Sequence, residues 1–196
     1  MAEAPPKTAD EPRVQLARTH RGDYHPGRPF VVRALWLVVE ALVLLNPVVT
    51  SYPLKRALLR FFGATIGEGV LIKPGLHVKY PWRLTVGDHC WLGERAWIDN
   101  MEDVALASDV VVSQGAYLCT GNHDWADPAM PLAPRPIVVE HGAWIGAFAK
   151  VAPGTTIGAG SVLSLGAVAL ADTEPWGVYA GNPAARVGTR VLDPAE

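Results

Sequence analysis

Val139–Ala169 reads VEHGAWIGAFAKVAPGTTIGAGSVLSLGAVA, and within it Val139, Ile145, Val151, Ile157, Leu163 and Ala169 stand six residues apart. The same beat runs back through the chain in groups of three: Leu106, Val112, Leu118; Val86, Leu92, Ile98; Ile66, Ile72, Val78. Fourteen of these fifteen positions are Ile, Leu or Val, and the residue four places on is usually small, as at Cys90, Ala96, Ala116, Ala143, Ala149, Ser161 and Ala167. A helix repeats its buried face every ~3.6 residues and a strand every ~2, so neither accounts for this period. Short six-residue repeats mark a parallel β-helix, in which each turn of chain stacks on the one before. Three hexads per turn make a triangular prism of about five coils with one aliphatic residue pointing inward on each face. Glycines recur between the hexads, for example Gly69, Gly87, Gly115, Gly146 and Gly160, where tight corners favour backbone conformations that other residues resist. Ordinary antiparallel strands would instead alternate and turn every ~8–12 residues.

The interruptions carry as much information as the beat. Val78 and Val86 are eight apart, Ile98 and Leu106 eight, and Leu118 and Val139 twenty-one, so all three insertions fall between complete triplets and near one corner of the prism. The longest runs from Asp124 to Val138 and holds Trp125, Pro128, Pro131, Pro134 and Pro136. Loops of that length in a compact repeat domain are usually functional. Coils stack at the inter-strand spacing, which makes a five-coil prism about 24 Å tall.

At 196 residues and 49% hydrophobic content the chain can bury one good core. A net charge of −2 with no basic block argues against a nucleic-acid surface. Cys90 and Cys119 stand in no CxxC or Cys/His spacing and read as core or corner fillers in a reducing compartment. Residues 1–28, with four prolines and scattered charges, read as a flexible lead-in, and 29–63 as a helical cap. The β-helix is expected over 64–187 and a short tail over 188–196.

Within the cap, Phe30 to Asn46 is apolar apart from Arg33 and Glu40, at the lower length limit for spanning a bilayer. A second helix is expected from Pro53 to Phe62, with Leu54, Leu58, Leu59 and Phe62 on one side, Lys55, Arg56 and Arg60 on the other, and Gly63 ending it. The segment covers the open first coil, packs between subunits, or makes peripheral membrane contact through residues 30–62. The expected location is the cytoplasm, with membrane association as the alternative.

Of six histidines, His20 and His25 fall in the lead-in and read as solvated, His77 and His89 take outward hexad positions, and His141 a corner. His123 differs. It sits between Thr120-Gly121-Asn122 and Asp124-Trp125, where the third coil gives way to the long loop, and a neutral imidazole there can accept a proton near neutral pH.

Trp97-Ile98-Asp99-Asn100, Tyr117-Leu118-Cys119-Thr120-Gly121-Asn122-His123-Asp124-Trp125, Gly142-Ala143-Trp144-Ile145-Gly146-Ala147 and Ala180-Gly181-Asn182-Pro183-Ala184 together resemble a hexapeptide-repeat O-acetyltransferase, nearest the colanic-acid-biosynthesis type. The resemblance extends from about Phe30 to Val187 and includes Lys79-Tyr80-Pro81-Trp82. It implies a left-handed coil, against the general preference for right-handed crossovers, and a homotrimer with active sites between neighbouring prisms. It implies acetyl-CoA as donor with no metal, a sugar or glycan hydroxyl as acceptor, an active-site loop over 122–138, and His123 as the base. The backbone N–H of Ala147 would stabilise the oxyanion. CoA would run beside Trp144, Gly146, Ala147 and Ala149, with Leu165 and Arg186 near its nucleotide end. Asp99, Asn100, Asp124 and Trp125 would line the acceptor, Asp124 alternatively orienting His123 or capping the loop. Many relatives carry Thr-Lys before the Asp of the last coil. Here the run is Leu170-Ala171-Asp172, leaving Arg186 or Lys150 to meet the phosphates.

Two other readings share the prism. A γ-type carbonic anhydrase-like zinc enzyme needs three converging imidazoles, and His77, His89 and His123 are scattered in register. A non-catalytic trimeric scaffold draws support from the missing lysine and is opposed by the intact Gly121-Asn122-His123-Asp124 run.

Overall fold

The computed structural model describes residues 13–193, so part of the expected lead-in and the last three residues of the expected tail lie outside the described residues. The hexad positions become three stacks of short parallel strands. The first face is built by Thr65–Ile66, Leu84–Val86, Val104–Leu106, Ile137–Val139 and Thr156–Ile157, and the third by His77–Val78, Trp97–Asp99, Tyr117–Cys119, Lys150–Val151 and Val168–Ala169. The second face stacks Leu71–Ile72, Trp91–Leu92, Val111–Val112, Trp144–Ile145 and Val162–Leu163, then adds Gly177–Ala180 and an antiparallel closing strand, Ala185–Thr189. Five regular coils are therefore followed by a sixth, incomplete one, whose first-face contact is the Ile157–Thr173 bridge. The closing strand runs two residues past the expected domain end.

All fifteen hexad residues point inward, none more than 5% exposed, and the seven small residues four places on are fully buried as a second inward column. A β-helix interior is narrow, so large and small residues must alternate around each coil to fill it without voids. Cys90 occupies one of these small positions, and burial pushes its thiol pKa up.

The corner glycines divide into two kinds, and only one was expected. Gly115 and Gly160 have φ of +65° and +64°, the left-handed bend foreseen from sequence. Gly87 and Gly146 do not: a Cβ on Gly146 would lie 2.4 Å from the Leu163 carbonyl oxygen of the next coil. Such glycines serve close stacking. Left-handed corners are also taken by Arg95, Asp109, Phe148 and His89, the last therefore a corner residue and not an outward strand residue as expected.

Helix α1 (Phe30–Val39) continues as a π-helical turn, Glu40–Leu44, and α2 spans Tyr52–Phe61 after the Ser51 cap. Together they close the first coil. Trp36 Nε1 donates to the Val78 carbonyl at 2.8 Å, Glu40 accepts from the Val78 N–H at 2.7 Å, and His77 Nδ1 lies 2.8 Å from the Glu40 carboxylate, at an angle unsuited to a hydrogen bond. The sidedness of α2 departs from expectation. Its basic residues face the prism, where Lys55 reaches the Ile72 carbonyl, Arg56 that of Val70, and Arg60 that of Ile66. Carbonyls at the edge of a first coil have no preceding coil to bond to, and cations answer that need as well as an apolar lid would. Leu59 and Phe62 are buried as expected, whereas Leu54 and Phe61 face outward.

Lys55 is fully buried, and desolvation pulls its pKa below the ordinary lysine value. The unfolded chain therefore binds this proton more tightly than the folded one, so raising pH through the window below 10.5 adds stability. Urea midpoints of wild type and Lys55→Met at pH 8 and about pH 10 should show the wild type gaining relative to the variant. A constant difference would contradict this assignment.

All three insertions stack at the corner between the third and first faces, as their spacing required. Asn100 binds the Tyr80 backbone from both sides, accepting its N–H at 2.9 Å and donating to its carbonyl at 2.7 Å. Thr120 Oγ1 accepts from the Glu102 N–H and donates to the Asp99 carbonyl. From residue 13 onward the lead-in is tied down and not free as expected. The Gln15 N–H and Thr19 Oγ1 donate to the carbonyls of Pro128 and Ala129, and Arg83 and Trp82 hold the carbonyls of His25 and Pro26. His20 and His25 remain exposed.

Candidate active site

The long loop folds back as an open hairpin. His123 bridges Leu132, the Asp124 N–H donates to the Pro131 carbonyl, and the Ala133 N–H to that of Asn122. Just after its turns, on the returning limb, Met130 adopts a φ of +47°, a conformation costly for a residue with a side chain, and its carbonyl lies 2.6 Å from His123 Nδ1. A carbonyl only accepts, so Nδ1 carries the proton of the neutral ring. Nε2 is then the lone-pair nitrogen, on an exposed side chain. The orienting group is thus a backbone carbonyl. Asp124 does not orient the ring, because its Oδ1 accepts from the Ala126 N–H and caps the loop. Trp125 projects into solvent, 81% exposed.

Beside this corner, the outer third face carries a linked set of polar groups. Lys79 Nζ lies 2.8 Å from one Asp99 oxygen, and the Tyr117 hydroxyl donates to the other at 2.9 Å. Burial, then hydrogen bonds with Cys119 and Asp99, hold the Tyr117 phenol above its ordinary pKa, so it remains a donor. Asp99 is therefore an engaged carboxylate, its side chain 13% exposed. Asn100 is fully buried in its bonds to Tyr80, which removes it from the acceptor lining and makes it a strut for the corner.

The residues expected to meet CoA are elsewhere on the prism. Trp144 stands outward on the second face, its Nε1 donating to Ser113 Oγ at 2.9 Å. It lines a groove of about 880 Å³ with Lys73, Trp91, Ser113, Gln114 and Arg190. Ala147 and Leu165 stack at the corner where the second face meets the third. The Ala147 carbonyl accepts from Gly166, while its N–H has no acceptor among the described residues. Ala149 is fully buried in the core, so its side chain cannot line an external groove as expected. Gly146 is also buried, its role being the close approach of coils described above. Arg186 is paired with Glu174 at 3.3 Å and with Thr189 in the closing hairpin. The cations on the groove are Lys73 and Arg190, and Arg190 is held by the carbonyls of Gly142 and Gly160.

His123 and Ala147 thus occupy different corners of one chain, at opposite ends of the third face. Counting from Gly115 to His123 along the coil that links those corners, the rise per strand residue puts them up to about 25 Å apart. No residue of the long loop lines the Trp144 groove. One copy presents an imidazole at one corner, a free amide at another, and a groove on the second face that Ala147 does not line.

Sequence reasoning missed Met130, Lys79, Tyr117, Ser113 and Arg190. Met130 acts through its carbonyl, which leaves no mark in a sequence, whereas the Lys79-Tyr80-Pro81-Trp82 run did contain a signal. Among the described residues no three His, Cys, Asp or Glu side chains gather as metal ligands, and His77 faces Glu40 on the cap side of the third face.

Comparison with known proteins places this architecture in a class. The chain is 36% identical over 157 residues to "Putative colanic acid biosynthesis acetyltransferase WcaF" of Escherichia coli, a match covering 80% of this chain and 86% of that protein. It is 24% identical over 132 residues to the galactoside O-acetyltransferase of Escherichia coli, covering 66% and 65%. Among solved structures, the hexapeptide-repeat-containing acetyltransferase of Vibrio cholerae complexed with acetyl coenzyme A superposes with a TM-score of 0.73 at 22% identity, over 81% of this chain and 87% of that one. No family model matches the chain. The chain belongs to the hexapeptide-repeat acetyltransferases, and its fold is their left-handed parallel β-helix.

Proposed function

We propose that this protein transfers an acetyl group from acetyl-CoA to a hydroxyl of a sugar or glycan, as a homotrimer, with His123 of one copy acting on a thioester held by the next. The observation that carries this reading is the 2.6 Å contact between His123 Nδ1 and the Met130 carbonyl, which leaves Nε2 open as a base. The relatives named for colanic acid biosynthesis and for galactoside acetylation support a carbohydrate acceptor.

In the reaction the acceptor oxygen attacks the thioester carbon while Nε2 takes its proton. The Ala147 N–H donates to the oxyanion that forms. Collapse breaks the C–S bond, and the imidazolium returns the proton to the departing sulfur. The pantetheine arm lies along the second face beside Trp144, and Arg190 and Lys73 replace the missing lysine as phosphate partners. Asp99, set by Lys79 and Tyr117, and Trp125 face the acceptor. Purified protein, acetyl-CoA and a panel of sugars and oligosaccharides test the reading through thiol release. Release that depends on a carbohydrate supports it. No release across the panel favours the scaffold, and turnover that requires stoichiometric zinc favours the hydratase.

The lead-in positions the loop that carries the base. Thr19 Oγ1 donates to the Ala129 carbonyl at 2.7 Å, one residue from Met130. Thr19→Val should lower kcat about tenfold while KM for acetyl-CoA stays within about twofold, since small displacements of a base are costly. An unchanged kcat would remove the lead-in from the mechanism.

A further inference from the structure

The cap is amphipathic in an inverted sense. Its polar groups turn toward the prism, where Glu40, Lys55, Arg56 and Arg60 bind the first coil beside the buried Trp36, Leu44, Leu59 and Phe62, while a second set of apolar groups turns outward. Along α1 and its π-helical extension Phe30, Val31, Leu35, Val38 and Leu42 are all more than half exposed, and Phe61 of α2 and Val48 of the linking loop add to the surface. At 100° per residue these α1 positions cover well over a quarter of the helix circumference, a convex face and not a groove.

Charge decides what covers it. Between residues 24 and 67 the only carboxylate is Glu40, which is buried, and Glu68 just beyond is paired with Arg60, whereas Arg28 is exposed two residues before Phe30 and Arg33 lies half-buried over the Phe30 ring. A second copy docked face to face about a two-fold axis would bring its Arg28 toward that of the first, and two convex faces meet along a line. An anionic lipid surface complements both the apolar face and the cationic rim. Residues 30–44 form about 22 Å of helix, short of the bilayer core, and no helix among the described residues is long and apolar enough to cross a membrane. The cap would lie in the interface plane.

We infer that the outer face of the helical cap docks the protein on an anionic lipid bilayer, with Phe30, Val31, Leu35, Val38 and Leu42 entering the acyl boundary and Arg28 meeting headgroup phosphates.

The test is flotation of the full-length protein with vesicles of phosphatidylglycerol and phosphatidylcholine, and with phosphatidylcholine alone. Binding to the anionic vesicles should exceed binding to the neutral ones at least tenfold. The double variant Leu35→Glu/Leu42→Glu should lose at least tenfold with an unchanged melting temperature. Arg28→Glu, at an exposed position, should weaken binding to anionic vesicles and make the remaining binding less sensitive to salt. Absence of flotation, equal flotation with both vesicles, or unaltered flotation of both variants would overturn the proposal. So would a lipid-free mass, by light scattering, that falls in the double variant, because a second copy would then cover the face.

Discussion

His123→Ala should lower carbohydrate-dependent thiol release by about a thousandfold while KM for acetyl-CoA and the melting temperature stay nearly unchanged. The ring is exposed, lies outside the hydrophobic interior, and touches the protein through one hydrogen bond to the Met130 carbonyl, so its removal leaves no cavity and little strain. Without it the acceptor hydroxyl must lose its proton to water, the term that general base catalysis ordinarily supplies. Asp124 offers no substitute because its carboxylate is engaged at the loop turn. Steady-state kinetics with a melting curve for each protein checks this. A variant that keeps more than about a tenth of the rate would show that proton removal is not the role of His123.

Gly146→Ala should destabilise the protein by at least about 3 kcal/mol, an expected fall of about 10 °C in melting temperature. The added methyl would lie 2.4 Å from the Leu163 oxygen and 2.9 Å from the Ser164 carbonyl carbon, backbone atoms held by the stacking of the next coil. Gly142→Ala is the informative comparison. Its φ is +68° with nothing within 4 Å of the added atom, so it should cost only about 1 kcal/mol for the left-handed backbone. Similar losses in both variants would mean that corner conformation, and not coil-to-coil approach, sets the demand for glycine.

The contrast between these glycines illustrates what the sequence could disclose. A six-residue beat of aliphatic side chains has one geometric solution, so the prism, its inward columns and the shared corner of the insertions were legible. Gly115 and Gly146 look alike in a sequence because a left-handed corner and a close approach both exclude a side chain. The cap was misread for a related reason. An amphipathic pattern marks two sides without saying which faces the protein, and the unbonded carbonyls of the first coil drew Lys55, Arg56 and Arg60 inward. At the site, His123 stood out by its position between a repeat and a loop, and motif resemblance marked the Trp144 to Ala147 run. Asn100 and Ala149 were placed in binding roles by the same resemblance, but their side chains are fully buried, one as a strut and the other in the core. The carbonyl of Met130 was invisible because its function depends on where a loop returns.

The central claim is that catalysis joins the imidazole corner of one copy to the grooved face of another, and subunit mixing tests it most directly. His123→Ala and Trp144→Ala proteins, each impaired alone, are mixed in equal amounts under conditions that exchange subunits, and carbohydrate-dependent thiol release is followed over time. Random assembly into trimers pairs an intact imidazole corner with an intact grooved face at about a quarter of the interfaces. Activity should therefore climb toward a quarter of the wild-type value. A mixture that never rises above the mean of its two parents, despite demonstrated exchange, would contradict a site shared between copies.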